Sequence, residues 1–311
     1  MPAFDVSVIG ELNLDLILYG LPPDLVPERE HLAQNLSITL GSSSAIFAHN
    51  LSLLGNKVGF NSCIGDDPLG GICVERLSAS GVDVAGVRTL GGQTTGLTVI
   101  LPHTKDRYIL TYPGTMYSMT AGDLNLDHVF NSKHLHIASY FLLKGISPDL
   151  AQLFRRAKQL GLTISLDTND DPADLWSPEL QLLFPYLDVL LLNEREVCKI
   201  AQNTNLDQAI ESVAKRVTLM VVKRGAQGAL ARTFDKTFSA APLAVEPIDS
   251  VGAGDSFDAG FIHAFVRGQN TEACLRSGNL AAALSVTRPG GTEAFRDQAY
   301  RQSFLQEHSV A

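Results

Sequence analysis

Gly252, Ala253 and Gly254 stand directly before Asp255, and apolar positions follow at Phe257, Gly260, Phe261, Ala264 and Phe265. That spacing predicts a helix starting near Gly254–Asp255. The first N–H groups of a helix have no intrahelical partner. Together with the helix dipole they favour an anion by ~0.3–1 kcal/mol where exposed. Bare Gly-Ala-Gly backbone lets such an anion approach closely. A carboxylate at this lip could take a proton from a hydroxyl while the amides hold charge on a transferring phosphoryl group. Taken alone, the same residues suit a helix-capping aspartate after a tight turn equally well.

Other phosphate and catalytic patterns are missing. There is no GxxxxGK[ST], GxSxG, HExxH or Cys/His ligand cluster, and Phe257 occupies the third glycine place of a GxGxxG pattern. The net charge of −9 excludes a nucleic-acid partner held by basic runs. No apolar run reaches the roughly 18 residues of a membrane span, and the N-terminus lacks a basic signal-peptide region. Cys63, Cys73, Cys198 and Cys274 have neither zinc-site nor redox spacing. They read as reduced thiols of a cytoplasmic protein.

The pattern of strands and helices supplies a frame. Strands are expected at 4–10, 14–20, 31–41 and 58–65, and helices at 43–55 and 68–81. A hairpin is expected at 94–112 around the polar turn HTKD. From residue 133 strand and helix alternate regularly, through HLHIAS, TISLDTN, DVLLLN and TLMVVKRG, with a further hairpin in 228–242 and closing helices. This predicts an α/β fold with a doubly wound, mainly parallel sheet flanked by helices. Segments 14–40 and 94–112, which lack intervening helices, are expected to form a small separate β-sheet, and residues 1–311 one domain.

The stretch DSVGAGDSFDAGFI (249–262) resembles the C-terminal signature of the ribokinase-like (PfkB-type) carbohydrate kinases, with Ser250 where Thr is common. The order and spacing of GELNLDL, GSSSAIFAHNLSLLG, DTNDDPADLW, NERE, VVKRGAQGAL and NLAAALSVTRPGG are also similar, so the resemblance spans nearly the whole chain. It implies an ATP-dependent kinase acting on a sugar-type hydroxyl beneath a β-lid, with ATP and Mg²⁺.

Carried over residue by residue, the resemblance implies that Asp255 is the base and Gly252, Ala253 and Gly254 the anion hole. Asn193 and Glu196 would organise Mg²⁺ and phosphate through water, a role compatible with a capping box at the same residues. Asn13 and Asp15 would bond substrate hydroxyls. Gly41 matches the start of the N-terminal signature, but Ser42 replaces its second glycine and Ile46 its asparagine. A substrate contact is therefore lost or moved to Ser42, Ser43 or Ser44. Asn169 would face the substrate. Asp171 stands where keto-deoxy-gluconate kinases carry Arg, which argues against an anionic sugar acid. Asp167, Asp170, Asp171 and Asp174 read as a solvated loop rather than a metal cluster.

On the nucleotide side, Lys223 and Gly225 would lie along the ATP phosphates and ribose, with Gly228 in the turn and Asn279 near adenine. Carbonyls around Asp249, Val251 and Gly291 resemble a monovalent-cation (K⁺) site. In the lid, Leu97, Val99, Ile109 and Tyr112 would cover the sugar or pair with a second subunit as a homodimer. Gly114 is expected in a substrate-side turn, with Met116 and Tyr117 as a wall. A neutral sugar is the expected acceptor. A nucleoside kinase, for which Ile46 and the serines would give a less polar floor, and a non-catalytic sensor of sugar or nucleotide are the rival readings.

Overall fold

The computed structural model describes residues 2–103 and 106–308; part of the expected HTKD turn lies outside them. The chain begins with β1 (Phe4–Ile9), which crosses to β2 (Leu14–Tyr19) and β3 (Asn35–Leu40) in a second sheet. Helix α1 (Ser43–Leu53) returns to β4 (Val58–Gly65), followed by α2 (Pro68–Ala79) and β5 (Asp83–Leu90). The hairpin β6 (Leu97–His103) and β7 (Asp106–Tyr112) completes the small sheet, in the order β3-β2-β6-β7. Short turns α3 (Thr115–Ser118) and α4 (Leu126–Phe130) lead to β8 (Ser132–Ile137).

The second half alternates as expected: α5 (Leu150–Gln159), β9 (Thr163–Asp167), β10 (Val189–Asn193), α6 (Glu194–Ala201), α7 (Leu206–Ala214) and β11 (Met220–Lys223). The hairpin β12 (Ala229–Arg232) and β13 (Thr237–Ala240) follows. The chain closes with α8 (Ala253–Phe265), α9 (Thr271–Ser285), α10 (Glu293–Arg296) and α11 (Gln298–His308). The large sheet has nine strands in the order β13-β12-β11-β10-β9-β8-β1-β4-β5, parallel from β11 to β5, with the final hairpin antiparallel.

Burial explains these elements. Val189, Leu190, Leu191 and Leu192 of β10 are fully buried, as an apolar run sandwiched between two helical layers must be. Helix α5 buries Leu150, Leu153, Phe154 and Ala157, one stripe at helical spacing. One core packs α5, α6 and α7 on one face of the sheet, and the other packs α1, α2, α8 and α9 on the opposite face. The cysteines at 63, 73, 198 and 274 are free thiols. No helix among the described residues is long and apolar enough to cross a membrane.

Strand β5 was not expected. It is an edge strand with four exposed residues and a glycine, Gly86, packed on Asn61, so it shows no clean apolar alternation.

Candidate active site

The C-terminal ends of the parallel strands meet the small sheet over the start of α8. Helices α1, α2, α6, α7 and α9 are each capped by a side chain, from Ser42, Asp67, Asn193, Asn205 and Asn270. Helix α8 instead starts on Gly252, with no side-chain cap. Gly252 has φ 71°, and a Cβ there would lie 2.6 Å from the Gly291 backbone. Glycine is thus required both by the left-handed conformation and by close packing. Ala253 N makes a long 3.3 Å bond to the Ser250 carbonyl, and no side chain caps the start of this thirteen-residue helix, an arrangement that suits an anion.

Asp255 sits in the first turn of α8. Burial, with the charge of Asp167 nearby, pushes its carboxyl up to about 7, opposed by Lys223 and by a hydrogen bond from Ser43. Ser43 Oγ also accepts from Asn169 Nδ2 at 3.0 Å, and the same amide reaches Ser139 Oγ at 3.3 Å. Ser139 donates to Glu11 Oε1 at 2.7 Å, and Ser44 to Glu11 Oε2 at 2.8 Å. Polar groups from β1, α1, β8, β9 and α8 therefore form one connected network ending at Asp255. Asn169 and Ser139 both hold positive φ within it.

Asp15 is buried on β2, and its carboxyl is pushed up to about 7 by burial and by Asp255, against Arg107. A Cβ on Gly41 would lie 2.1 Å from Asp15 Oδ1, so Gly41 makes the space that Asp15 occupies. Asn13 is buried beside it and donates to Thr98 Oγ1 at 3.3 Å on the neighbouring strand.

Beneath the turn, Lys223 Nζ lies 3.0 Å from both Asp167 Oδ2 and Asp258 Oδ2. A Cβ on Gly254 would stand 3.5 Å from the same Nζ, which places this cation against the anion turn. Burial opposes its charge, but Asp167 and Asp258 hold it protonated. Burial alone would raise Asp167; Lys223 and its hydrogen bonds keep it low. Burial raises Asp258 well above the usual carboxylate range. Asn193 and Glu196 form a capping box, Asn193 N donating to Glu196 Oε2 at 2.8 Å and Glu196 N to Asn193 Oδ1 at 2.9 Å. Glu196 is buried and its carboxyl is raised, chiefly by that burial and then by Asp167.

Several expected contacts fall elsewhere. Ser42 donates to the Glu11 carbonyl and accepts from Ala45 N, so it caps α1 with its hydroxyl. Ile46 packs under the Gly252–Gly291 contact and gives no floor to a ligand pocket. Asp171 accepts from the backbone N–H groups of Ala173, Leu175 and Trp176, so its charge organises its own loop. It therefore gives no ground for excluding a sugar acid. The four-aspartate loop is only half solvated: Asp167 and Asp171 are buried, while Asp170 and Asp174 pair with Arg195 and Lys199.

Asn279 holds the Ala240 and Ala241 carbonyls at 3.1 and 2.8 Å. Gly228 packs on the same Ala240 carbonyl, and Gly225 opens the turn with φ 52°. Asn279 and Gly228 thus meet at the end of β13. Gly114 turns with φ 50° against the Thr94 carbonyl, Met116 is buried against Gly96, and Tyr117 stacks under Lys144. Asp249 accepts from Tyr19, Val251 and Gly290, and the Gly291 carbonyl from Asn50. Glu11, Ser139 and Asp258 were missed by sequence reasoning.

Residues 3–298 match the pfkB family carbohydrate kinase profile. The chain is 26% identical to a ribokinase of Haemophilus influenzae, covering 98% of this chain and 99% of that one. It is 26% identical to a 5-dehydro-2-deoxygluconokinase of Clostridium perfringens, over 91% of this chain and 87% of that one. A crystal structure of a putative ribokinase II from E. coli in complex with ATP and Mg²⁺ superposes with a TM-score of 0.84 at 25% identity, covering 98% of this chain and 99% of that one.

Proposed function

The chain belongs to the pfkB family of carbohydrate kinases and is an ATP-dependent sugar kinase, and within that family we propose that Asp255 is its general base and the amides of Gly252, Ala253 and Gly254 its anion hole. The observation that carries this reading is the uncapped start of α8, with Asp255 in its first turn and Lys223 against Gly254.

The residues fit the expected cofactors. An open helix start beside a buried ammonium suits a phosphate chain. No group of three His, Cys, Asp or Glu among the described residues could cage a metal directly. Mg²⁺ keeps several waters and needs only one or two carboxylates, so Glu196 and Asn193 would hold it through water. ATP supplies the phosphoryl group when bound, with Mg²⁺ neutralising its charge.

Asp255 takes the proton of the acceptor hydroxyl, and a carboxyl poised near 7 is matched to that task at neutral pH. Ser43 and Asn169 orient it through their hydrogen bonds. The α8 amides and Lys223 stabilise charge developing on the transferred group. Asn13 and Asp15 bind the acceptor's other hydroxyls from the small sheet, which serves as the lid. Gly225, Gly228 and Asn279 shape the nucleoside end of the ATP site.

The acceptor is a neutral sugar. Glu11, Asp15 and Asp255 are electrostatically coupled around the site, and the lid offers Arg107 in opposition. An acceptor carrying a carboxylate would meet net repulsion there. ADP release should therefore be measured with ribose, fructose, adenosine and 2-dehydro-3-deoxygluconate. Turnover confined to the sugar acid or to adenosine would sink this substrate reading. Asp255→Asn should lower turnover by ~10²–10⁴ while MgATP binding persists.

The lid also carries the dimer contact. Strand pairing aligns Ile38, Leu16, Val99 and Leu110 in one row and Leu97 and Tyr112 in the next, all on the face away from the site. Leu36, Ile38, Leu110 and Tyr112 are 59%, 44%, 56% and 57% exposed. A sheet face this apolar calls for a partner, and a second lid is complementary to it. Ile109 pairs with Ile100 on the opposite face and looks toward the sugar.

A further inference from the structure

The lid touches the anion turn through Asp249. Tyr19, at the end of lid strand β2, donates its hydroxyl to Asp249 Oδ2 at 2.9 Å across 230 residues of sequence. Gly290 N donates to the same oxygen at 2.9 Å, and Val251 N to Oδ1 at 2.9 Å. One carboxylate thus joins the lid to the two segments that meet at Gly252 and Gly291. Apolar packing runs alongside it: Ile17 and Ile100 of the lid form a buried cluster with Val251, and Tyr19 packs against it. Arg107 of the lid reaches Ser250 Oγ at 3.0 Å.

These donors decide how the cation site suggested by the sequence should be read. Three hydrogens point at the Asp249 carboxylate, and Asn50 Nδ2 donates to the Gly291 carbonyl at 2.9 Å. A resident monovalent cation would have to share the same oxygens with the positive ends of these N–H and O–H groups. Three of the about four acceptor positions of the Asp249 carboxylate are thus taken, a hydrogen-bonded node that fits a resident ion poorly.

We propose that Tyr19 is a positioning residue that holds the phosphate-binding turn from the lid through Asp249, in the place where a monovalent cation would otherwise be needed. The proposal rests on the reading of the α8 start as the phosphate site. Two consequences follow. Phosphate binding by this protein is independent of K⁺. Loss of the hydroxyl loosens the turn without removing any group that touches the nucleotide.

The test is calorimetric titration of MgATP into the wild-type protein and Tyr19→Phe, each in potassium chloride and in tetramethylammonium chloride. The expected wild-type Kd is the same in both salts within a factor of about two. Tyr19→Phe should bind about tenfold more weakly in tetramethylammonium, the scale of one hydrogen bond to a charged group. Phenylalanine keeps the ring in its apolar setting, and circular dichroism checks that the variant is folded. A merely structural loss would lower the melting temperature and leave Kd unchanged in the folded protein. Unchanged affinity in Tyr19→Phe, or a wild-type affinity that tightens fivefold or more with K⁺, overturns the proposal alone. Absence of MgATP binding to the wild type in either salt overturns the phosphate-site reading, and this inference with it.

Discussion

Asp255 and Asp15 are two carboxyls that burial has pushed up to about 7, each raised further by neighbouring carboxylates. For the chemistry this sets a pH threshold: kcat/KM should fall about tenfold per unit below pH ~7 and level off above it. A profile that stays flat down to pH 5 would remove Asp255 as the base. For stability the sign is opposite. The folded state holds these protons more tightly than the unfolded chain, so stability is greatest below the unfolded value near 4 and declines as pH rises toward 7. Asp255→Asn should accordingly raise the melting temperature at pH 8 and leave it nearly unchanged at pH 4. Asp255 stays partly open to the cleft, which keeps that gain small. The base and its glycines were legible in the sequence because they form one contiguous string whose backbone demands admit few substitutes. Glu11 and Ser139 were not, since a polar residue after an apolar strand has no periodic mark. Their pairing spans 128 residues and exists only in the fold.

The helices were legible because amphipathic stripes and caps are local. What an isolated helix does not show is which neighbour supports its ends. Ile46 illustrates this. In the sequence it stands as a departure from a polar position, and it reads as part of a substrate floor. In the fold it lies on α1 and packs beneath the contact between Gly252 and Gly291, with Cδ1 2.8 Å from where a Gly291 Cβ would be. It is 2% exposed. Ile46→Ala should therefore cost about 2–5 kcal/mol in denaturant unfolding, as other buried Ile or Leu truncations do. It should also lower kcat more than it raises KM for the sugar, because the cavity opens under the anion turn and away from the lid. Stability within 0.5 kcal/mol of wild type, a margin typical of surface changes, would show that the turn does not rest on this side chain. Strand β5 failed to show itself for the complementary reason: an edge strand is half solvated, and its partner, not its own pattern, defines it.

At the scale of the molecule, charge and apolar area act against each other. Each chain carries −9 at neutral pH, so two copies repel at long range, and salt screens that repulsion within ~10 Å at 0.1 M. The outer lid face supplies the attraction, through Leu36, Ile38, Leu110 and Tyr112. Its size could not be read from segments 14–40 and 94–112 separately. Register is what aligns Leu16, Ile38, Val99 and Leu110 into one patch, and a one-residue slip would turn these side chains to the other face. Light scattering should find a dimer whose dissociation constant falls as ionic strength rises. Leu110→Lys should shift the population to monomer at micromolar concentration, since it places a charge within the apolar patch on both copies. Because Tyr19 and Arg107 tie the same sheet to the phosphate turn, the monomeric variant should also bind its sugar more weakly while retaining the base. A wild-type protein that stays monomeric at tens of micromolar in high salt would separate the lid's two faces, leaving the inner one to act alone.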